Sequence, residues 1–145
     1  MQEEIISNRL EQVLGEWICL HDEEDHFPGM DNSLPCIKLC SRTLRIRAND
    51  AWSKLPLLDK EVMVAHEMGH REYQHYLQSF FFDRFLSVIN GEIVKQELDA
   101  DLYAVKKCGL TKVITVLENA KNRAGHFSSK EFDLRIKALK TYYVD

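Results

Sequence analysis

The chain has 145 residues, 45% of them hydrophobic, and a formal net charge of −4. This length suits one core, so we expect a single domain over residues 1–145, and the acidic balance without a basic stripe argues against a nucleic-acid partner. No basic leader opens the chain and no apolar run reaches the about 18 residues of a membrane span, so we expect a cytoplasmic protein without an integral membrane segment.

The N-terminal segment has apolar residues at helical spacing, so we expect an amphipathic helix over residues 2–20. Its apolar side comprises Ile6, Leu10, Val13, Leu14 and Trp17. Residues 21–26 follow, with four acidic residues between two histidines. Such a charge run predicts a solvated loop, and binding of a second cation is the alternative.

Two short strands are predicted next, because apolar and polar residues alternate with the period of two that a half-buried strand requires. The first strand contains Ile37 and Leu39, and the second contains Leu44 and Ile46. An unpaired strand edge offers N–H and C=O groups to a peptide. Residues 44–47 are our candidate for such an edge, with an ordinary core strand as the alternative.

The following segment predicts a helix from residue 60 to about residue 78, with Asp59 as its N-cap. Gly69 lies in the interior of this helix, where glycine costs about 1 kcal/mol relative to alanine. We therefore expect another part of the molecule to pack closely against Gly69.

His66, Glu67 and His70 form an H-E-x-x-H motif within this helix. Residues four apart lie one above the other on a helix, so the two imidazoles face the same side. Glu67 is rotated by about 100° from His66 and can lean over that side. Two nitrogen ligands beside a carboxylate indicate a catalytic zinc site with the glutamate as general base. The alternative is a helix whose two histidines serve only the structure.

A second helix is predicted over residues 92–108, with Gly109 ending it in a left-handed conformation. Glu97 and Asp101 fall on its inward stripe. Buried carboxylates are costly unless they are paired or bind a metal. We therefore expect Glu97 to be the third zinc ligand and Asp101 to accept the free N–H of a ligand histidine.

The segment between these two helices is strongly aromatic and contains Phe80, Phe81, Phe82, Phe85, Leu86 and Ile89. Such a cluster is typical of a core, and a hydrophobic substrate pocket or a membrane or partner contact is the alternative. His75 follows His70 by five residues, so we expect it to point away from the zinc ligands.

Two further helices are predicted at the C-terminal end. The first runs near residues 111–123 and ends at Gly125, and the second opens with the capping box Ser128-x-x-Glu131. The inward positions of the second helix are Phe132, Ile136 and Leu139. We thus expect an α+β fold, mostly helical, with a small sheet or hairpin beside the metal-binding helix.

The combination of H-E-x-x-H with a later E-x-x-x-D resembles the gluzincin metallopeptidases, of which thermolysin is the best-known member. The string from Glu97 to Ala104, E-L-D-A-D-L-Y-A, followed by Cys108-Gly109, is most similar to the HtpX and CAAX-prenyl-protease family. The resemblance covers residues 43–109, with a weaker similarity over residues 126–139. It implies a minimal zincin fold without the membrane helices of the larger members.

The resemblance implies one Zn2+ per chain, held by His66, His70 and Glu97. It also implies Glu67 as the catalytic acid and base, and Asp101 as the partner of His66.

The donor that stabilises an oxyanion is left open by the residues themselves, because several side chains qualify. The candidates are Tyr73, Tyr103, His126 and Arg135. The resemblance favours His126 and Arg135 as contacts of the oxyanion or the substrate.

We therefore expect a zinc metalloendopeptidase that hydrolyses a peptide or protein substrate through a zinc-bound water activated by Glu67. The same motifs are similar to those of ImmA-like peptidases, so a regulatory protease with one specific protein substrate is an alternative. A zinc-stabilised binding module without activity is a third hypothesis, although such a module would have no use for Glu67.

Two other zinc classes can be compared with the sequence directly. A metzincin would need glycine at position 73 and histidine at position 76, and the chain has Tyr73 and Tyr76, so this class is excluded. Peptide deformylase takes a third ligand from an upstream cysteine, for which Cys36 or Cys40 would be the candidate. Otherwise we expect the four cysteines to be reduced and mostly buried thiols.

Overall fold

The structure is a computed structural model and describes residues 9–21, 33–40, 42–73, 92–124 and 126–143, without the side chains of residues 92–94, 124 and 126–129. The strands are β1 Arg9–Val13, β2 Glu16–His21, β3 Ile37–Leu39 and β4 Ile46–Asn49. The helices are α1 Asp50–Ser53, α2 Leu57–Glu72, α3 Glu92–Cys108, α4 Leu110–Ala124 and α5 His126–Tyr142. The predicted α+β fold is confirmed.

The N-terminal part of the chain is a β-hairpin, so the helix predicted over residues 2–20 is wrong for its described part. β1 and β2 are antiparallel and are joined by Leu14 and Gly15, whose φ angles are 53° and 80°. A two-residue turn with positive φ at both positions matches the twist of a hairpin. On β2 the core residues Ile18 and Leu20 follow the strand period of two.

The four strands have the order β1-β2-β4-β3, with β2 and β4 parallel and the other pairs antiparallel. The predicted strand of Ile37 and Leu39 is therefore confirmed as β3. The second predicted strand is confirmed for Ile46, which lies in β4, but Leu44 precedes β4 with a φ of 60°, so its assignment to the strand is wrong. The free edge expected over residues 44–47 is wrong, because β4 pairs with β2 on one side and β3 on the other. Within the described residues, β3 is the edge strand on this side of the sheet.

α2 is held between two hydrophobic clusters. On one side Val62 and Ala65 pack into a cluster formed with α3, α4 and α5. On the other side Val64 packs with Ile18 and Ile46 of the sheet. The helix that carries the H-E-x-x-H motif is thus fixed on two faces.

The helix ends differ in part from the prediction. α2 begins at Leu57 with Pro56 as its N-cap, so Asp59 is not the N-cap. Asp59 is instead buried and forms an ion pair with Arg123 of α4 at 3.3 Å. A buried carboxylate requires such a partner. α3 has its predicted bounds and Gly109 has a φ of 100°.

α5 begins at His126, so the predicted capping box at Ser128 lies inside the helix rather than at its start. The inward positions predicted for this helix are confirmed, because Ile136 and Leu139 are buried and Phe132 packs against the same cluster.

Three sequence predictions concern residues outside the described ranges: the acidic loop over residues 22–26, the aromatic stretch over residues 80–89, and the orientation of His75. His21, which we assigned to that loop, is the last residue of β2 and is buried. In the described part of the chain, none of the helices combines the length and the apolar character needed to cross a bilayer.

Candidate metal centre

The helices that carry the predicted ligands, α2 and α3, pack closely at Gly69. A Cβ atom added to Gly69 would lie 2.9 Å from the Cα of Ala100 and 2.9 Å from the Cβ of Tyr103. Side chains do not approach one another that closely, so only glycine permits this distance between the helices. The close packing expected at Gly69 is confirmed, and it brings the H-E-x-x-H motif against the acidic stripe of α3.

The three predicted ligands converge across this helix contact. Nε2 of His66 lies 2.8 Å from Oε1 of Glu97, and Nε2 of His70 lies 3.1 Å from Nε2 of His66 and 3.4 Å from Oε2 of Glu97. Ligand atoms placed about 2.0–2.1 Å from a tetrahedral zinc are about 3.3 Å from one another. The observed separations are close to that value, and the group could hold a metal ion.

Asp101 lies on the other side of the His66 ring, as predicted for the partner of a ligand histidine. Nδ1 of His66 is 2.8 Å from Oδ1 of Asp101, and because an ionised carboxylate only accepts, Nδ1 carries the hydrogen. A neutral imidazole has one N–H, so Nε2 then points a lone pair at the Glu97 carboxylate. Two facing acceptors repel unless a proton or a metal cation lies between them. The donor set therefore fits a cation.

The charges around His66 also favour a cation at this position. Burial alone would lower the pKa of His66, but the negative charges of Glu97 and Asp101 outweigh burial and raise this pKa to about 10. Burial would likewise raise the pKa of Glu97, yet the charge and hydrogen bonds of the two histidines hold it well below its ordinary value. Glu97 and Asp101 thus stabilise a positive charge at this position, and a metal ion can supply that charge in place of the proton.

Arg135 of α5 lies behind Asp101. Its Nε donates to Oδ2 of Asp101 and its Nη2 donates to Oδ1, both at 2.8 Å, while its Nη1 is 3.8 Å from Oε1 of Glu97. Burial would raise the pKa of Asp101, but the guanidinium charge outweighs it and lowers this pKa. Arg135 therefore keeps Asp101 ionised and oriented toward His66.

This role of Arg135 was missed from the sequence, although a signal was present. Arg135 lies next to Ile136 and three residues after Phe132, on the stripe predicted to face inward. A buried arginine requires a carboxylate partner, and Asp101 was the buried carboxylate in need of a cation. A contact of Arg135 with an oxyanion stays a prediction.

The other candidates for the oxyanion donor are Tyr73, Tyr103 and His126. Tyr73 and Tyr103 form an edge-to-face pair, with ring centroids 6.5 Å apart, at the C-terminal end of α2. His126 is the first residue of α5, and its side chain is outside the described part. Their roles stay predictions.

Glu67 lies between the predicted ligands and the edge strand β3. Its carboxylate accepts a hydrogen bond from the backbone N–H of Leu39. Burial raises the pKa of Glu67, and the positive charges of His66 and His70 only partly oppose this effect. The carboxylate is thus fixed beside the edge strand of the sheet.

The cysteines do not contribute to this group. All four are free thiols, and Cys19 and Cys36 are buried while Cys40 and Cys108 are half-buried. Within the described residues, neither Cys36 nor Cys40 belongs to a group that could hold a metal. Glu97 thus occupies the third position that the deformylase alternative would assign to a cysteine.

Comparisons of the chain with protein-family models, with curated proteins and with solved structures find no match.

Proposed function

We propose that this chain is a zinc-dependent metallopeptidase of the gluzincin type. The observation that carries this proposal is the position of Glu67, a half-buried carboxylate held beside the group formed by His66, His70 and Glu97. A metal that serves only structure is normally enclosed by four protein ligands and needs no neighbouring base. Three ligands with an adjacent carboxylate are typical of a catalytic site.

Each residue of the site has a separate role in this proposal. His66, His70 and Glu97 would hold one zinc ion, which when bound supplies a Lewis acid that acidifies water and polarises a carbonyl. Glu67 would accept the proton of the attacking water and then donate it to the leaving amine. Asp101 would hold His66 in the tautomer whose Nε2 is free to bind.

The proposed substrate is a peptide in extended conformation. Within the described residues β3 has one unpaired edge, and Glu67 contacts Leu39 in the same strand. The N–H of Leu39 is taken by Glu67, so a peptide would add through the other N–H and C=O groups of that edge, which would bring its carbonyl groups near Glu67.

The experiment is a cleavage assay on unfolded casein, with and without a metal chelator. We expect chelator-sensitive cleavage by the wild type and a loss of at least about 100-fold in Glu67→Gln, because general-base catalysis contributes about 10²–10⁴-fold. Glu118→Gln, an exposed glutamate of α4, is the matched control and should retain activity.

Two results would contradict the proposal. Retained cleavage in Glu67→Gln would show that Glu67 is not the acid and base of the reaction. Bound zinc without cleavage of casein or of any peptide library would assign the chain to the zinc-stabilised binding modules.

A further inference from the structure

The strands β3 and β4 and their turn carry a local positive charge on an acidic protein. Residues 33–49 contain four cationic side chains and no Asp or Glu, whereas the whole chain has a net charge of −4. The four cations are Lys38, Arg42, Arg45 and Arg47. We call residues 37–47 the cationic hairpin. A local excess of this kind attracts anionic ligands.

The register of the sheet places three of these cations on one face. Lys38 is paired with Arg47, and paired residues of neighbouring strands point to the same side. Arg45 lies two residues before Arg47 and continues that side. Ile46 and Ala48 alternate with them and are buried in the core. Lys38, Arg45 and Arg47 therefore lie on the face of the sheet opposite α2.

Three of these cations are not neutralised by the protein itself. Lys38, Arg42 and Arg45 are exposed, and no ion pair within the described part of the chain involves them. By contrast, Lys60 and Arg71 form ion pairs with acidic residues of the N-terminal hairpin.

The cationic hairpin is fixed next to the proposed catalytic carboxylate. Leu39 donates its N–H to Glu67, and Nη1 of Arg71, at the end of α2, donates to the carbonyl oxygen of Leu44 at 3.3 Å. Arg71 also donates to Glu16 at the start of β2. These contacts hold Leu39 and Leu44 against the helix that carries the H-E-x-x-H motif.

We propose that the substrate segment is acidic and that the cationic hairpin selects it. The inference rests on the proposed function in that the peptide is taken to lie along β3, beside Glu67. A strand added to this edge places every second side chain on the face of Lys38 and Arg45. Opposite charges at neighbouring positions on one sheet face attract and like charges repel. Peptides with Asp or Glu at alternate positions are therefore favoured over peptides with Lys there.

Binding is measured separately from cleavage, so that this inference and the proposed function fail independently. The protein is full-length Glu67→Gln, and the probes are two fluorescein-labelled extended peptides of equal length, one with Glu and one with Lys at alternate positions. Fluorescence anisotropy gives the two dissociation constants. We expect the Glu peptide to bind at least about threefold more tightly, with the preference falling as salt is added, since exposed charge pairs are weak and screened.

Charge-reversal variants test whether the cationic hairpin causes the preference for the Glu peptide. Lys38→Glu and Arg45→Glu, each in the Glu67→Gln background, should abolish or reverse it, and Lys38→Gln should reduce it without reversal. Lys112→Glu, an exposed lysine of α4, changes the net charge equally and should leave it intact. Equal affinity for the two peptides, or a preference that survives Lys38→Glu and Arg45→Glu, would overturn the inference whether or not the wild type cleaves casein.

An anionic membrane surface is the competing partner, because Trp17 and Leu10 on the same sheet face are 58% and 53% exposed. Sedimentation with phosphatidylserine vesicles tests it. Vesicle binding that is lost in Lys38→Glu, without any preference for the Glu peptide, would also overturn the inference.

Discussion

Ala100 lies so close to Gly69 that a methyl group on the glycine would come within 2.9 Å of the Ala100 Cα. Helix propensity alone predicts that Gly69→Ala stabilises the protein by about 1 kcal/mol. Overpacking at a close helix contact costs about 1–3 kcal/mol, and here the obstacle is backbone, which cannot rotate away. We expect overpacking to dominate and the free energy of unfolding, measured in urea with a chelator present, to fall. An increase would show that α2 and α3 are not in this contact.

The pair formed by Asp101 and Arg135 should be strongly coupled, because both side chains are buried and joined by two hydrogen bonds. Arg135→Met should lower the free energy of unfolding by up to about 3–5 kcal/mol, since it removes the guanidinium partner of a buried carboxylate and leaves only His66 to pair with it. The double variant with Asp101→Asn should lose much less than the sum of the two single variants.

Urea unfolding of the four proteins in this cycle, without metal, measures that coupling. The exposed pair of Lys121 and Asp133, at 2.7 Å, is the matched control and should show a coupling of about 0–1 kcal/mol. A coupling for Asp101 and Arg135 that is no larger than the control would contradict the arrangement.

Asp101→Asn should also weaken zinc binding by about 10–100-fold, because the residue behind a ligand histidine fixes its tautomer and orientation. A competitive titration with a chromogenic chelator gives the affinity. Asp133→Asn removes an exposed carboxylate of α5 and should leave the affinity unchanged. Equal affinities in the two variants would rule out a role for Asp101 in the metal site.

Cys40 should be the most reactive thiol of the chain near neutral pH. Burial alone would raise its pKa, but hydrogen bonds from Thr43 and Arg42 and the charge of Arg47 lower it to about 7. Burial raises the pKa of Cys36 and of Cys108. Because the thiolate is the reactive form, a lowered pKa shifts the onset of reaction to lower pH.

Timed alkylation with iodoacetamide, followed by peptide mass spectrometry, checks this order. The rate at Cys40 should be half-maximal at a pH of about 7, and Thr43→Val should move that midpoint upward. A midpoint for Cys40 as high as that of Cys108 would contradict the hydrogen bonds assigned to its sulfur.

The parts of the fold that the sequence predicted depend on neighbours along the chain. The bounds of α3, the left-handed Gly109 and the shared face of His66 and His70 follow from helical periodicity and local conformation. The close contact at Gly69 was predicted because glycine in a helix interior is otherwise unfavourable.

The parts that were wrong or missed depend on distant partners. Residues 9–21 have enough apolar residues for a helix, and the parallel pairing of β2 with β4 makes them strands instead. That pairing places β4 inside the sheet and leaves β3 at the edge. The contact of Arg135 with Asp101 joins residues 34 positions apart. The inward stripe of α5 indicated that Arg135 is buried, but no local pattern identifies its partner.

The zinc content of the purified protein tests the central claim most directly. Mass spectrometry of metals should give about one zinc per chain in the wild type and in Glu118→Ala. Glu97→Ala should contain little or no zinc, because two remaining protein ligands bind the ion too weakly. Zinc retained at full stoichiometry in Glu97→Ala would contradict the assignment of Glu97 as a ligand, and with it the proposed metallopeptidase site.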